Sequence, residues 1–135
     1  MIDTDCLRPL AELVPVLESP TADFGRWEVP PPRDGVRSLG WFEFGPAGEA
    51  FLAAVAKGGW VTAGFDWRTW LDGDEAADLQ RRPDALESAT VEQLARLLTA
   101  IVRSDRFVEG SIAGAFESGL LTRIARRADA LLTSR

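Results

Sequence analysis

"TVEQLARLLTAIVRSDRFVEGSIAGAFESGLLTRIARRADALL", residues 90–132, carries the architecture of this chain. Thr90, with Gln93 three residues on, makes a capping box, in which each side chain satisfies an amide that the first helical turn leaves unpaired. Val91, Leu94, Leu98, Ile101 and Val102 then recur at helical spacing, so a helix is predicted from residue 91. A second helix buries Leu120, Leu121, Ile124, Ala125, Ala128, Leu131 and Leu132 and leaves Arg123, Arg126, Arg127 and Asp129 outward. Between them "SDRFVEGSIAGAFESG" (104–119) inserts three glycines and four charged side chains, Asp105, Arg106, Glu109 and Glu117. Ser111 is placed to cap a short helix holding Ile112, Ala115 and Phe116, and Gly119 either ends that helix in a left-handed turn or lets it pass tightly into the next. Gly110 and Gly114, four apart, offer a bare face for a close helix crossing, although no apolar span of the membrane kind surrounds them.

Upstream, Pro46 suits the first position of a helix with Phe51, Leu52 and Val55 on one stripe and Gly58 or Gly59 at its end. Residues 39–44 before it and "WVTAGF" (60–65) after it are β-prone and short, which admits one two-stranded pairing between them. "FDWRTWLDG" (65–73) forms a compact helical turn with Asp66 as N-cap and Trp67 and Trp70 on one face. These two indoles, with Trp27, Trp41 and Trp60, are expected in the core, because a chain of this size has few other places for five tryptophans; the alternative is an aromatic pocket or partner groove. Asp3 or Asp5 caps a first helix containing Leu7, Leu10, Leu13, Val14 and Leu17, which Pro15 kinks or shortens. Residues 19–38 are proline-rich without periodicity and are expected to act as a connector within one domain spanning residues 1–135. The expected fold is mostly α: a small single-domain bundle of about five helices with room for one short β pairing.

Composition narrows the function. With 46% apolar and 27% charged residues the chain belongs with folded globular proteins. Its one cysteine, Cys6, has no internal partner, and the acidic start and a longest apolar run of residues 50–56 give neither a signal core nor a membrane span. A cytoplasmic location is expected. The net charge of −6 disfavours nucleic acid, although residues 1–90 carry 8 basic and 16 acidic side chains and residues 91–135 carry 7 and 5. Arg123, Arg126 and Arg127 are expected to complement a helix C-terminus or to meet an acidic partner.

Without histidine, imidazole triads and histidine zinc sites are excluded, and no phosphate loop, dinucleotide fingerprint or nucleophile elbow occurs. "DGDEAAD" (72–78) fails as a calcium loop, since Ala76, Ala77 and Pro83 stand where an oxygen ligand, glycine and glutamate are needed; a solvated loop or a helix start is expected there. No metal and no cofactor is expected.

"FDWRTWL", followed by "TVEQLARLLTAIVRSDRFVEGSIAGAFESGLLTRIARRADAL", resembles a bacterial family known as domain-of-unknown-function family 6508. The likeness runs from about Phe24 to Leu132 and is most specific in "FDW" and "RSDRF.EG...AFESG". It implies a small, mostly helical, cytoplasmic bacterial protein and no particular activity. Family members often have cysteine after the phenylalanine and histidine after the glycine of "RF.EG"; here Val108 and Ser111 stand in those places, so that pair is not an obligatory part of any shared chemistry.

Two functions fit these residues. The first is a non-enzymatic protein-interaction or ligand-binding module, in which Arg103, Asp105, Arg106, Glu109 and Glu117 lock the corner and Asp66, Trp67 and Trp70 contribute to a contact surface. Glu109 and Glu117 are then expected near Arg103 or Arg106. The alternative is a carboxylate site of Asp105, Glu109, Glu117 and Asp66 for a metal, a small polar or cationic ligand, or acid–base hydrolysis. An unknown protein, a small ligand or a second copy of the chain are the partners compatible with either.

Overall fold

The computed structural model describes residues 4–36, 40–105 and 110–133. Along them run α1 (Leu7–Ala11), α2 (Val14–Leu17), β1 (Gly25–Glu28), β2 (Trp41–Phe44), α3 (Pro46–Lys57), α4 (Trp67–Leu71), α5 (Asp74–Arg81), α6 (Pro83–Glu87), α7 (Val91–Ser104), α8 (Ser111–Glu117) and α9 (Leu120–Thr133), with a 3-10 turn, Thr4–Cys6, ahead of α1. The chain is a small, mostly α single domain with one two-stranded sheet, as expected. Its helices are shorter and more numerous than five. Pro83 begins a new short helix and Pro15 is the second residue of another, neither interrupting an old one, because a missing amide costs nothing in a first turn. "DGDEAAD" proves to be a helix start, since Ala76 and Leu79 of α5 are buried.

The capping box of α7 forms in full: Thr90 Oγ1 accepts the Gln93 amide at 3.1 Å and Gln93 Oε1 accepts the Thr90 amide at 2.9 Å. Leu94, Leu97, Leu98 and Ile101 of α7, Leu121 and Ile124 of α9, Phe51 of α3 and Leu7 and Leu10 of α1 fill the core. There α1 packs along α9, while α3 packs on α1. Phe116 of α8 is held between Phe24, stacked at 4.9 Å, and Phe51, edge-on at 5.6 Å.

The β pairing differs from the one expected. β2 pairs antiparallel with β1, inside the proline-rich segment, in the register Gly25↔Phe44 to Glu28↔Trp41. Residues 60–65 are instead tied at Trp60 and Thr62 to α3 and α7. The Trp60 amide donates to Val55 O at 3.2 Å, and the Trp60 carbonyl lies 3.2 Å from the buried Thr99 hydroxyl, which accepts the Thr62 amide at 2.9 Å. The only side-chain proton of Thr99 is shared with Ala95 O at 2.7 Å.

The tryptophans also part company. Only Trp60 is fully buried; Trp67 and Trp70 are half-buried, and Trp27 and Trp41 are 45% and 46% exposed. The two indoles of the ribbon lie on opposite faces: Trp27 packs edge-on against its cross-strand partner Phe42 at 5.5 Å, and Trp41, on the other face, donates to Glu43 Oε2 at 3.1 Å. Among the described residues, no helix is long and apolar enough to cross a membrane.

Candidate functional site

The corner between α7 and α8 is built by one carboxylate. Asp105, the residue after α7, accepts the amides of Gly110 at 3.2 Å and Ile112 at 3.1 Å through the same Oδ1. Those amides belong to the unpaired first turn of α8, so Asp105 is its cap from seven residues upstream. This corrects the expectation for Ser111, which is the first residue of α8, with Gly110 in the N-cap position. Gly110 has φ +104°, a left-handed conformation that side-chain-bearing residues rarely adopt, and a Cβ there would stand 3.0 Å from the Trp27 ring. The β1 indole therefore lies directly on the glycine of the corner.

Of the other charged residues expected at this corner, Arg106 and Glu109 lie outside the described residues, as does Val108. Arg103 is half-buried in the last turn of α7, and Glu117 is exposed at the end of α8. Among the described residues no ion pair joins Arg103 to Glu117, and the corner is held by a carboxylate on main-chain amides. Gly119 takes the left-handed turn, with φ +80°, between α8 and α9. No helix crosses at Gly114, where a Cβ would meet nothing within 4 Å.

What Gly114 faces is a crevice of about 300 Å³ between α5, α7 and α8. Ser104, Ser111, Ser118 and Gln80 supply its polar lining, while Leu71 and Ile101 contribute apolar wall. Both hydroxyl protons of Ser104 and Ser118 are committed, to Ile101 O at 3.1 Å and Ala115 O at 3.3 Å, and Gln80 Nε2 spends one of its two protons on Ala76 O at 3.2 Å. Their oxygens keep lone pairs, so the crevice is rich in acceptors, and among the described residues no charged side chain lines it. Sequence patterning missed this lining, although its signal is visible in retrospect: Ser111, Gly114, Ala115 and Ser118 share one helical face.

Asp66 and the two nearby tryptophans occupy a separate arrangement. Asp66 caps α4, accepting the Thr69 amide at 3.3 Å and the Thr69 hydroxyl at 2.7 Å, and the hydroxyl bond above all holds its carboxyl below the usual carboxylate range. The Arg68 guanidinium sits 5.3 Å over the Trp67 ring. Trp70 Nε1 donates at 2.8 Å to Glu75 Oε1, which also receives Arg96 at 2.9 Å. Sequence reasoning did not single out Glu75, the hub of this group. The Trp70 bond above all pulls its carboxyl below the ordinary glutamate value; burial, the next largest influence, opposes it, and the Arg96 and Gln93 bonds add to the lowering.

A lowered folded-state value means that Glu75 stabilises the protein above its unfolded value and loses that contribution as pH falls through the folded one. Glu75→Gln is therefore expected to be less stable than the parent at neutral pH. The side chain is 38% exposed, so screening limits the difference to under about 1 kcal/mol. The gap should close in acid, as urea denaturation at neutral and acidic pH will show; a gap that widens in acid contradicts this assignment.

Among the described residues, no three carboxylate or thiol side chains come together to hold a metal ion. No curated protein and no solved structure matches the chain. The model of a family of unknown function, DUF6508, matches residues 2–134, extending the likeness seen from Phe24 to Leu132 over almost the entire sequence, and the chain belongs to that family.

Proposed function

We propose that the protein is a binding module without chemistry of its own, and that the crevice beside the α7–α8 corner holds a small neutral molecule that donates hydrogen bonds. The observation behind it is the lining: acceptor oxygens of Ser104, Ser118 and Gln80 set in an apolar wall with no charged side chain among the described residues. A neutral polyol, sugar or primary amide suits such a surface, whereas a bare cation or anion would lose its hydration there without a counter-charge. Binding rather than catalysis follows from the serines, because a nucleophilic hydroxyl needs a base to take its proton and those of Ser104 and Ser118 point to backbone carbonyls.

Gly114→Leu is the decisive variant, since the new side chain enters the crevice from a position with open space around it and replaces a helix-weakening glycine. Monosaccharides, polyols and primary amides are expected to raise the thermal midpoint of the parent by mass action and to leave that of Gly114→Leu unmoved. A shift of equal size in the variant, or none in the parent with any of these compounds, refutes the assignment. The exposed indoles Trp27 and Trp41 support a protein partner as the second reading. A partner lost on Trp41→Ser and kept on Gly114→Leu separates it from the first.

A further inference from the structure

A second cavity, of about 310 Å³, lies between α6 and α9, away from the crevice residues. Its apolar lining is Pro83, Leu86 and Ala130, and its charged lining is Glu87 with Arg123, Arg126 and Arg127. Arg123 lies one turn before Arg126 and Arg127 on α9, three and four residues from them, where like charges repel. A protein with net charge −6 thus concentrates guanidinium groups around one hollow.

The three are held differently. Arg127 Nε donates to the Ala89 carbonyl at 2.8 Å, which fixes its plane and leaves its terminal nitrogens without a further bond among the described residues. Arg126 pairs with Glu18 at the end of α2. Arg123 is half-buried and has no hydrogen-bond or ion-pair partner for its guanidinium among the described residues. One guanidinium is preoriented, one is paired at the rim and one is uncommitted, above an apolar floor.

We infer that this cavity binds a small organic oxyanion, a carboxylate or phosphate carried on an apolar body, with the oxyanion against Arg123 and Arg127 and the body on Leu86, Pro83 and Ala130. Guanidinium forks match the oxygens of both anion types and form the stronger, charge-assisted class of hydrogen bond. The apolar floor requires the body, because a bare hydrated anion gains nothing from it. Glu87, in the same lining, repels an oxyanion placed against it, which leaves the arginine side of the cavity for the headgroup.

The test is calorimetric titration of the full chain with phenyl phosphate, benzoate, benzyl alcohol and inorganic phosphate. Phenyl phosphate or benzoate is expected to bind saturably, and the tighter of the two identifies the headgroup. Benzyl alcohol, with the body and no charge, and inorganic phosphate, with the charge and no body, are each expected to bind at least about ten-fold more weakly, the loss of one strong polar or apolar contribution. Arg123→Gln is expected to weaken the better anion by about ten-fold or more while its thermal midpoint without ligand stays at the parent value, since its guanidinium ties nothing in the fold. No saturable binding of either organic anion overturns the inference. So does benzyl alcohol or inorganic phosphate matching the organic anion, or unchanged affinity in Arg123→Gln.

Discussion

Trp60→Ala is expected to cost about 3–5 kcal/mol of folding free energy, the range for truncating a buried aromatic side chain, and to lower the thermal midpoint by roughly 10–15 °C. Trp60 is fully buried, and its Nε1 donates to the Cys6 carbonyl at 3.3 Å, across 54 residues of chain. The ring fits so closely over the end of α3 that a Cβ on Gly58 would come within 2.7 Å of Nε1. Its main chain also anchors the segment that Thr99 holds, so the cavity left by alanine opens beside a polar cluster that cannot collapse into it. Trp60→Phe should fall between the two, by keeping most of the apolar contact while losing the indole hydrogen bond to the Cys6 carbonyl, about 0.5–1.5 kcal/mol. Urea denaturation followed by circular dichroism gives the order parent, phenylalanine, alanine. An alanine variant within about 1 kcal/mol of the parent would show that this indole is not the keystone described.

Asp105→Ala is expected to cost about 2–3 kcal/mol, because one carboxylate oxygen accepts two amides and hydrogen bonds to a charged group are the stronger kind. The loss should be concentrated locally. Exchange of the Ile112 amide with solvent should accelerate well before amides of α7 do, since α8 loses its cap while α7 keeps its capping box. Asp105→Asn, with a neutral acceptor, should lose about half as much. Gly110→Ala strains the same turn through its left-handed backbone and the Trp27 contact, at about 1–3 kcal/mol. Combined with Asp105→Ala it should cost less than the sum, because both substitutions release one turn. Additive costs and an unchanged Ile112 amide would mean that Asp105 is not what shapes the corner.

Much of the helical framework could be read from local spacing. Thr90 and Gln93, Asp66 and the stripes of α7 and α9 rest on interactions within three or four residues, and each formed where the residues indicated. What escaped depends on partners far along the chain. Asp105 caps α8 from a distance no three-residue template includes, β1 is four residues long with a strand partner sixteen positions away, and the burial of Thr99 is explained only by Trp60 and Thr62 arriving beside it. The candidate site divided along the same line. Asp105 turned from a member of a charge network into a cap, while the lining of the hollow by Ser104, Ser111 and Ser118 was not foreseen. Glu75 stayed hidden because a lone glutamate on an acidic helix has no mark until Trp70 and Arg96 converge on it.

The packing of α1 along α9 joins the earliest helix of the chain to the latest. During synthesis α3 can meet the first helix early, but the side of that helix that packs on α9 stays uncovered until more than a hundred further residues have left the ribosome. Closure of the core is thus a late event in the life of each molecule, and the nascent chain spends that interval with a sticky end that a chaperone, or a neighbouring nascent chain, is free to occupy.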